Sequence, residues 1–416
     1  MVFREDIKME EFNSFVNNNI GGSFTQNYAW KQFKEAVGGM NCYIVGMEDD
    51  NGTLVAAGHF VYAYKRKIKN LYAPSGPILD YSNKKIVKEF FKYLTEFAKK
   101  IGADALDIEP NYVIREYNRK FEIEKENDEK IINNLKEVGF NHLGYVGQIA
   151  GYQLRFTSII DLTKPIEEVT SAFAKDKKKL LSRNDKYFQI KIVDANEDDL
   201  VYLNKFRTQL SDKKSFKLEG QDYYNEMYRA FKENSDARII KAVMNFKEIE
   251  NRVKNELNIL EDGLEKSKTK EDTQNIINSL KQKLSEMEEY AKNHDVSNDV
   301  IVGIGLIVYI GNRATYIYEH TDKELGNFGV PTIMLNELIK SSKEQGFKEF
   351  DMLGLTNPKY KDNKNYYITE FKISFGGNII EYVGVFVKPI KRLNYFLKST
   401  ARDITYRFKG IANERK

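Results

Sequence analysis

Apolar residues recur along this chain at two periods, and the switches between them mark out helices and strands. SFTQNYAWKQFKEAVGG places Tyr28, Ala29, Phe33, Ala36 and Val37 at helical spacing until Gly38-Gly39 stops the run. CYIVGMEDDNGTLVAAGHFVYAYKRKIKNLYAPSGPILDY then reads as two or three strands with a turn at Asp50-Asn51-Gly52. From Asn83 to Ile101 a helical stripe returns in Val87, Phe90, Phe91, Leu94, Phe97, Ala98 and Ile101, and Gly102 ends it before the strand ALDIEP.

This order of helix, glycine, strand and acid comes back late in the chain. In IMLNELIKSSKEQGFKEFDMLG, Gly346 and Asp351 stand as Gly102 and Asp107 do, each glycine five residues before its aspartate. The repetition predicts two related α/β domains rather than one large sheet. LRFTSIIDL is the strand that leads into the second domain, and Pro165 opens a helix after it. Between Lys247 and Ala291 apolar residues fall at Val253, Leu257, Leu260 and Leu264, then at Ile277, Leu280, Leu284, Met287 and Ala291. Alternating steps of four and three are a coiled-coil seam, and the polar stretch Ser267 to Thr273 lets the chain turn back. The reading is an antiparallel helical hairpin, serving as an arm for RNA or a partner or as a spacer. Strands resume in VIVGIGLIVYIGNRATYIYEH around a Gly311-Asn312 turn, which makes the hairpin an insertion. The expected organisation is a first domain over 1–153, a second over 154–245 and 296–390, the coiled-coil hairpin over 246–295, and a tail over 391–416.

Tyr366 to Pro389, YYITEFKISFGGNIIEYVGVFVKP, supplies the first candidate chemistry. Ile368–Phe375 and Ile379–Val387 are rich in β-branched and aromatic residues and flank Gly376-Gly377-Asn378, so they predict a hairpin. In a strand Phe371 and Lys372 point to opposite faces, one anchored in packing and the other projecting an ammonium. That cation either serves a site where negative charge develops or simply faces water.

Composition narrows the field. At 416 residues the chain is long for one core; its 41% hydrophobic content is globular, and its 30% charged fraction is above average, so some segment carries charge without much core. The balance of 65 basic against 61 acidic residues is +4, so a polyanion site has to come from local clustering. One cluster is the helix after Pro165, where Lys175, Lys177, Lys178, Lys179, Arg183 and Lys186 interleave with Phe173, Leu180, Leu181 and Tyr187. It is either a phosphate or RNA surface or a solvated face. The tail is another, basic and amphipathic, suited to an anionic membrane surface or to covering the core. Cys42 is the only cysteine, which excludes an intrachain disulfide and a thiolate zinc site. The four histidines are scattered without paired spacing, so no histidine metal site is expected. The N-terminus has no apolar leader and no run approaches ~18 apolar residues, so a cytoplasmic, at most membrane-peripheral, protein is expected.

Taken together, FTQNYAW, APSGPILDY, the late hairpin insertion, EFKISFGG and IIEYVGVFVKPI resemble the Fem family of peptidoglycan bridge-forming aminoacyltransferases, over nearly the whole chain. The resemblance implies an α/β (α+β) protein of two GNAT-like domains with a helical hairpin in the second. It implies transfer of an amino acid from aminoacyl-tRNA to the stem-peptide amine of lipid II or a UDP-linked muropeptide at the inner membrane face. No metal, nucleotide cofactor or covalent enzyme intermediate is implied. Carried over by motif, Lys372 would stabilise the oxyanion, an effect of about 3 kcal/mol for one donor, and Phe371 would shape the tRNA-end site. Lys34, beside Trp30, would contact the precursor's diphosphate, and Tyr316 and Tyr318 would be the paired aromatics near the substrate. Glu109 in DIEP stands where the family has a carboxylate before proline, which by the resemblance would be a catalytic group accepting the ammonium proton. The chain departs from the family at KLEGQDYY, where relatives have an arginine and Lys217 is the nearest substitute. Lys177, Lys178, Lys179 and Arg183 are the candidate tRNA contacts.

Two other functions compete. An acyl-CoA-dependent GNAT N-acyltransferase would need a glycine-rich pyrophosphate loop, and GNFGVP at Gly326 is the nearest approach. A non-catalytic coiled-coil adaptor for RNA or membrane would tolerate loss of Lys372.

Overall fold

The computed structural model describes residues 1–65, 68–145, 152–211, 220–233, 236–363, 365–392 and 395. Within them the chain forms a mixed α/β fold around two sheets. In the first, the strands run in the order Val2–Arg4, Asn41–Glu48, Leu54–Lys65, Ile68–Ala73, Ala105–Ile108, Phe386–Pro389 and Asn141–His142, with Ile78–Leu79 paired on Leu54–Lys65. The second runs Lys191–Asp194, Ala237–Met244, Val300–Ile310, Arg313–Thr321, Glu349–Leu355, Phe156–Asp161, Asn378–Tyr382, Val113–Tyr117 and Ile123–Glu126. The sheets therefore exchange strands. The second takes 113–126 from the first third of the chain, and the first takes 386–389 from its end.

The repeated unit builds the same crossover twice. Helix Lys84–Lys100, Gly102 at φ 80° and strand Ala105–Ile108 bring that strand parallel to Ile68–Ala73. Helix Val330–Glu344, Gly346 at φ 90° and strand Glu349–Leu355 do so beside Arg313–Thr321. A parallel neighbour needs such a helical return, whereas hairpins join the antiparallel pairs. Phe90, Phe91 and Leu94, all fully buried, face the first sheet, and each contributes about 1.5–3 kcal/mol by leaving water.

The spacing of four and three is carried by two helices, Phe246–Gly263 and Lys270–Asn293. Phe246 stacks on Tyr290 at one end and Glu261 pairs with Lys281 at 2.6 Å towards the other, so the helices run in opposite directions. Val253, Leu257, Ile277, Leu280 and Met287 are buried and continuous with the core of the second sheet.

The strand expected over Ile368–Phe375 is not formed: Tyr366–Ile373 is a helix. Ile368, Phe371 and Phe375 are spaced three and four apart, a helical stripe that the β-rich composition masks. Phe371 packs edge-on to Phe375, which is fully buried against Phe173. The strand expected over Ile379–Val387 is cut in two. Gly384 at φ 91° turns the chain between Asn378–Tyr382 and Phe386–Pro389, and each piece joins a different sheet. Most of the tail, together with Lys217, lies outside the described residues.

Candidate active site

Two bulges deform the second sheet at one place. Ile317 is the extra residue between the pairs Leu306 with Tyr318 and Ile307 with Tyr316. Met352 and Leu353 together oppose the single residue Ser158. Bulges re-aim side chains out of strict alternation. Here they open a cavity of about 570 Å³ lined by Tyr316, Tyr318 and Glu319 from one strand, Asp351 and Leu353 from the next, and Glu109 from the first sheet's side.

The last wall is the Tyr366–Ile373 helix, which contributes Ile368, Phe371 and Lys372. Lys372 Nζ donates to the Gly354 carbonyl at 3.0 Å. That carbonyl is aimed by an unusual backbone: Leu353 has φ 57°, a left-handed conformation costly for a branched side chain, of order 1–3 kcal/mol. The Leu353 amide donates to Asp351 Oδ1 at 2.8 Å, and Thr157 Oγ1 donates to the same oxygen. Gly354 has no room for a side chain, because a Cβ would come within 2.3 Å of Leu154.

Burial tunes two charges in this wall. It pulls the Lys372 ammonium down to about 8, although Asp351 and Glu319 nearby favour the charged form. It pushes the Glu319 carboxyl up to about 7, against the opposing effects of Tyr316 and Lys372. Glu319 Oε1 and the Tyr316 hydroxyl are buried and stand outside hydrogen-bond geometry with any partner. His320 follows on the same strand and lines the cavity, and burial and then Arg207 press its imidazole down to about 4. An ammonium beside a cavity suits an oxygen that becomes negative, and a carboxyl titrating near neutrality suits a group that is positive or gives up a proton.

Lys372, Phe371, Glu109, Tyr316 and Tyr318 thus share one cavity. Glu109 is engaged already, accepting from the Tyr72 hydroxyl and from the Gln153 amide at 2.9 Å. Trp30 and Lys34 lie on helix Tyr28–Gly38 and are not among the lining residues. Lys34 Nζ sits 4.6 Å from the Trp30 ring centre and 6.0 Å from that of Tyr223. The Tyr223 hydroxyl meets that of Tyr318 at 3.1 Å, linking this aromatic group to the cavity wall. On helix Lys175–Arg183, Lys177 Nζ lies 4.8 Å over the Phe371 ring, Lys178 donates to the Ser171 carbonyl, Lys179 is exposed and Arg183 is half-buried.

Sequence reasoning missed Glu319, His320 and the site role of Asp351. Asp351 was visible as one half of the internal repeat, and Glu319 directly follows a tyrosine already singled out. Their chemistry depends on burial, which a strand pattern does not report. A second hollow of about 860 Å³ adjoins the first, sharing Asn111, Arg313 and Tyr382 as its wall. Among the described residues no cluster of three or more His, Cys, Asp or Glu is arranged to hold a metal, and no helix is long and apolar enough to cross a membrane.

A profile of the FemAB family matches residues 7–403. Aminoacyltransferase FemA of Staphylococcus epidermidis is 24% identical over 425 residues, covering 96% of this chain and 99% of that protein. Aminoacyltransferase FemA of Staphylococcus aureus is 23% identical over 410 residues, covering 94% and 96%. The crystal structure of FemX superposes with a TM-score of 0.77 at 22% identity, over 95% of this chain and 99% of that one.

Proposed function

The chain belongs to the FemAB family, and from that premise we propose that it is an aminoacyltransferase acting between a charged tRNA and a peptidoglycan precursor. The donor is the ester joining an amino acid to the tRNA's terminal ribose, and the acceptor is the side-chain amine of the precursor's stem peptide. The amine nitrogen attacks the ester carbonyl carbon, and the carbonyl oxygen takes on negative charge. As the amide forms, the ester C–O bond breaks and the ribose hydroxyl leaves with the proton that the amine gives up.

One observation carries this reading: the Lys372 ammonium, largely withdrawn from water, beside a cavity large enough for an aminoacyl ester. Lys372 stabilises the developing oxyanion, a contribution of about 3 kcal/mol for a single pre-positioned donor. Phe371 forms the surface for the terminal nucleotide, and Lys177 above its ring lies in the first turn of a basic helix that follows the acceptor arm. Lys178, Lys179 and Arg183 extend that path. Lys34, held over Trp30, contacts the precursor's diphosphate, with Lys217 as its partner cation. Tyr316 and Tyr318 bound the reacting centre, and Glu109 organises Tyr72 and the Gln153 amide at its edge. Two adjoining hollows with a common wall suit a reaction that joins two large substrates. A lipid-linked precursor would hold the protein against the inner face of the cytoplasmic membrane.

The test offers the purified protein tRNA charged with all amino acids, together with lipid II in one reaction and the UDP-linked muropeptide in another, and weighs the products. A mass gain of one or more amino-acid residues on the stem peptide, dependent on charged tRNA, is expected. Unchanged precursor in both reactions contradicts the reading.

A further inference from the structure

We propose that Glu319 recognises the α-ammonium of the aminoacyl ester, so that the cavity selects its donor by a free α-amine. This rests on the reading of the chain as an aminoacyl-tRNA-dependent transferase. The ester presents two features on adjacent carbons, a carbonyl oxygen that accepts and an ammonium that donates. The cavity presents the complementary pair, the Lys372 ammonium on its helical wall and the Glu319 carboxylate on the neighbouring strand. Lys372 reaches the Gly354 carbonyl and the two side chains form no ion pair with one another, which leaves a gap between opposite charges. Glu319 Oε1 is buried, with the Tyr316 hydroxyl beside it but outside hydrogen-bond geometry, and no cation among the described residues paired to it. A buried acceptor left unmatched is costly, so its retention in a cavity wall points to a donor brought by a ligand. Burial raises the carboxyl to about 7, and an ammonium arriving beside it restores the ionised form. Lys372 acts on this acid through space but makes no ion pair with it, in contrast to Glu381 in the same sheet, which Arg155 pairs directly.

The experiment uses the full chain, lipid II, and two donors: tRNA charged with all amino acids, and the same tRNA deaminated with nitrous acid, which exchanges the α-amine for a hydroxyl. The native protein should favour the amine-bearing donor by about 10- to 100-fold in kcat/KM, the value of a charge-assisted hydrogen bond. Glu319→Gln should lower kcat/KM for that donor by a similar factor while costing the deaminated donor much less, collapsing the preference. Equal losses on both donors, the signature of a purely structural acid, overturn the assignment. So does equal use of the two donors by the native protein, a measurement that needs no variant to fold. No transfer from either donor by the native protein overturns instead the reading of function on which this rests.

Discussion

Glu381 is a buried acid and Glu319 a half-buried one whose Oε1 is shut off from water; both lie on strands of one sheet, and they differ in what surrounds them. Glu381 accepts from Arg155 and from the Tyr117 hydroxyl and pairs with Arg115 at 3.5 Å, while Arg155 also stacks 4.2 Å over Tyr145. Arg155 and Glu381 are 6% and 4% exposed, so this charge is both dehydrated and matched. Glu319 Oε1 is dehydrated and has no ion-pair partner among the described residues, in a wall where Lys372 reaches only a backbone carbonyl and Leu353 holds a left-handed backbone. Matched burial locks the exchanged strand 113–117 onto 378–382 and so onto 156–161. Unmatched burial costs stability and makes sense where a substrate supplies the missing partner.

The contrast breaks most sharply at Arg155. Arg155→Met should cost about 3–5 kcal/mol of stability by stranding Glu381, read as a lowered midpoint in urea unfolding, and adding Glu381→Leu should recover part of it. An unchanged midpoint would place both acids in one class. Lys372→Met should do the reverse, dropping kcat by about 10²–10³ while leaving the midpoint unchanged or higher, because a dehydrated ammonium is removed.

A pH series sharpens the same contrast. Lys372 is protonated below about 8, so kcat/KM should fall as pH rises through that value. Glu319 is ionised above about 7, so the rate should rise as pH climbs through it. The free enzyme therefore has a narrow optimum between the two, and Glu319→Gln should erase the acid limb and, by removing a charge that favours the Lys372 ammonium, move the alkaline limb to lower pH. The smallest effect belongs to Lys177. Removing its charge from the Phe371 ring with Lys177→Ala should raise KM for charged tRNA about threefold at constant kcat.

Much of this molecule could be read from its sequence, for identifiable reasons. The Asp50-Asn51-Gly52 turn, the stripe from Val87 to Ile101 and the repeat around Gly102 and Gly346 are local signals, and all three became the elements they specify. The Tyr366–Ile373 helix escaped because Ile, Thr and Phe favour strands, whereas its actual state follows from packing Phe371 on Phe375, and Phe375 against distant Phe173. Strand exchange escaped too, since a break at Gly384 does not reveal which sheet each half joins. Lys372 was visible through a family motif. Glu319 was not, because its distinction is the lack of an ion-pair partner and of water at Oε1, and both are properties of the folded wall.

The most direct test of Lys372 exploits the chain's single native cysteine. Cys42 is buried, with its thiol pushed up to about 12, and so resists alkylation in the folded protein. Lys372→Cys should be inactive in transfer from charged tRNA to lipid II. Treatment with 2-bromoethylamine, which rebuilds a lysine-like ammonium on the new thiol, should then restore a substantial fraction of the native rate. Full activity before treatment, or none after complete aminoethylation of a normally folded protein, would contradict a catalytic role for this ammonium.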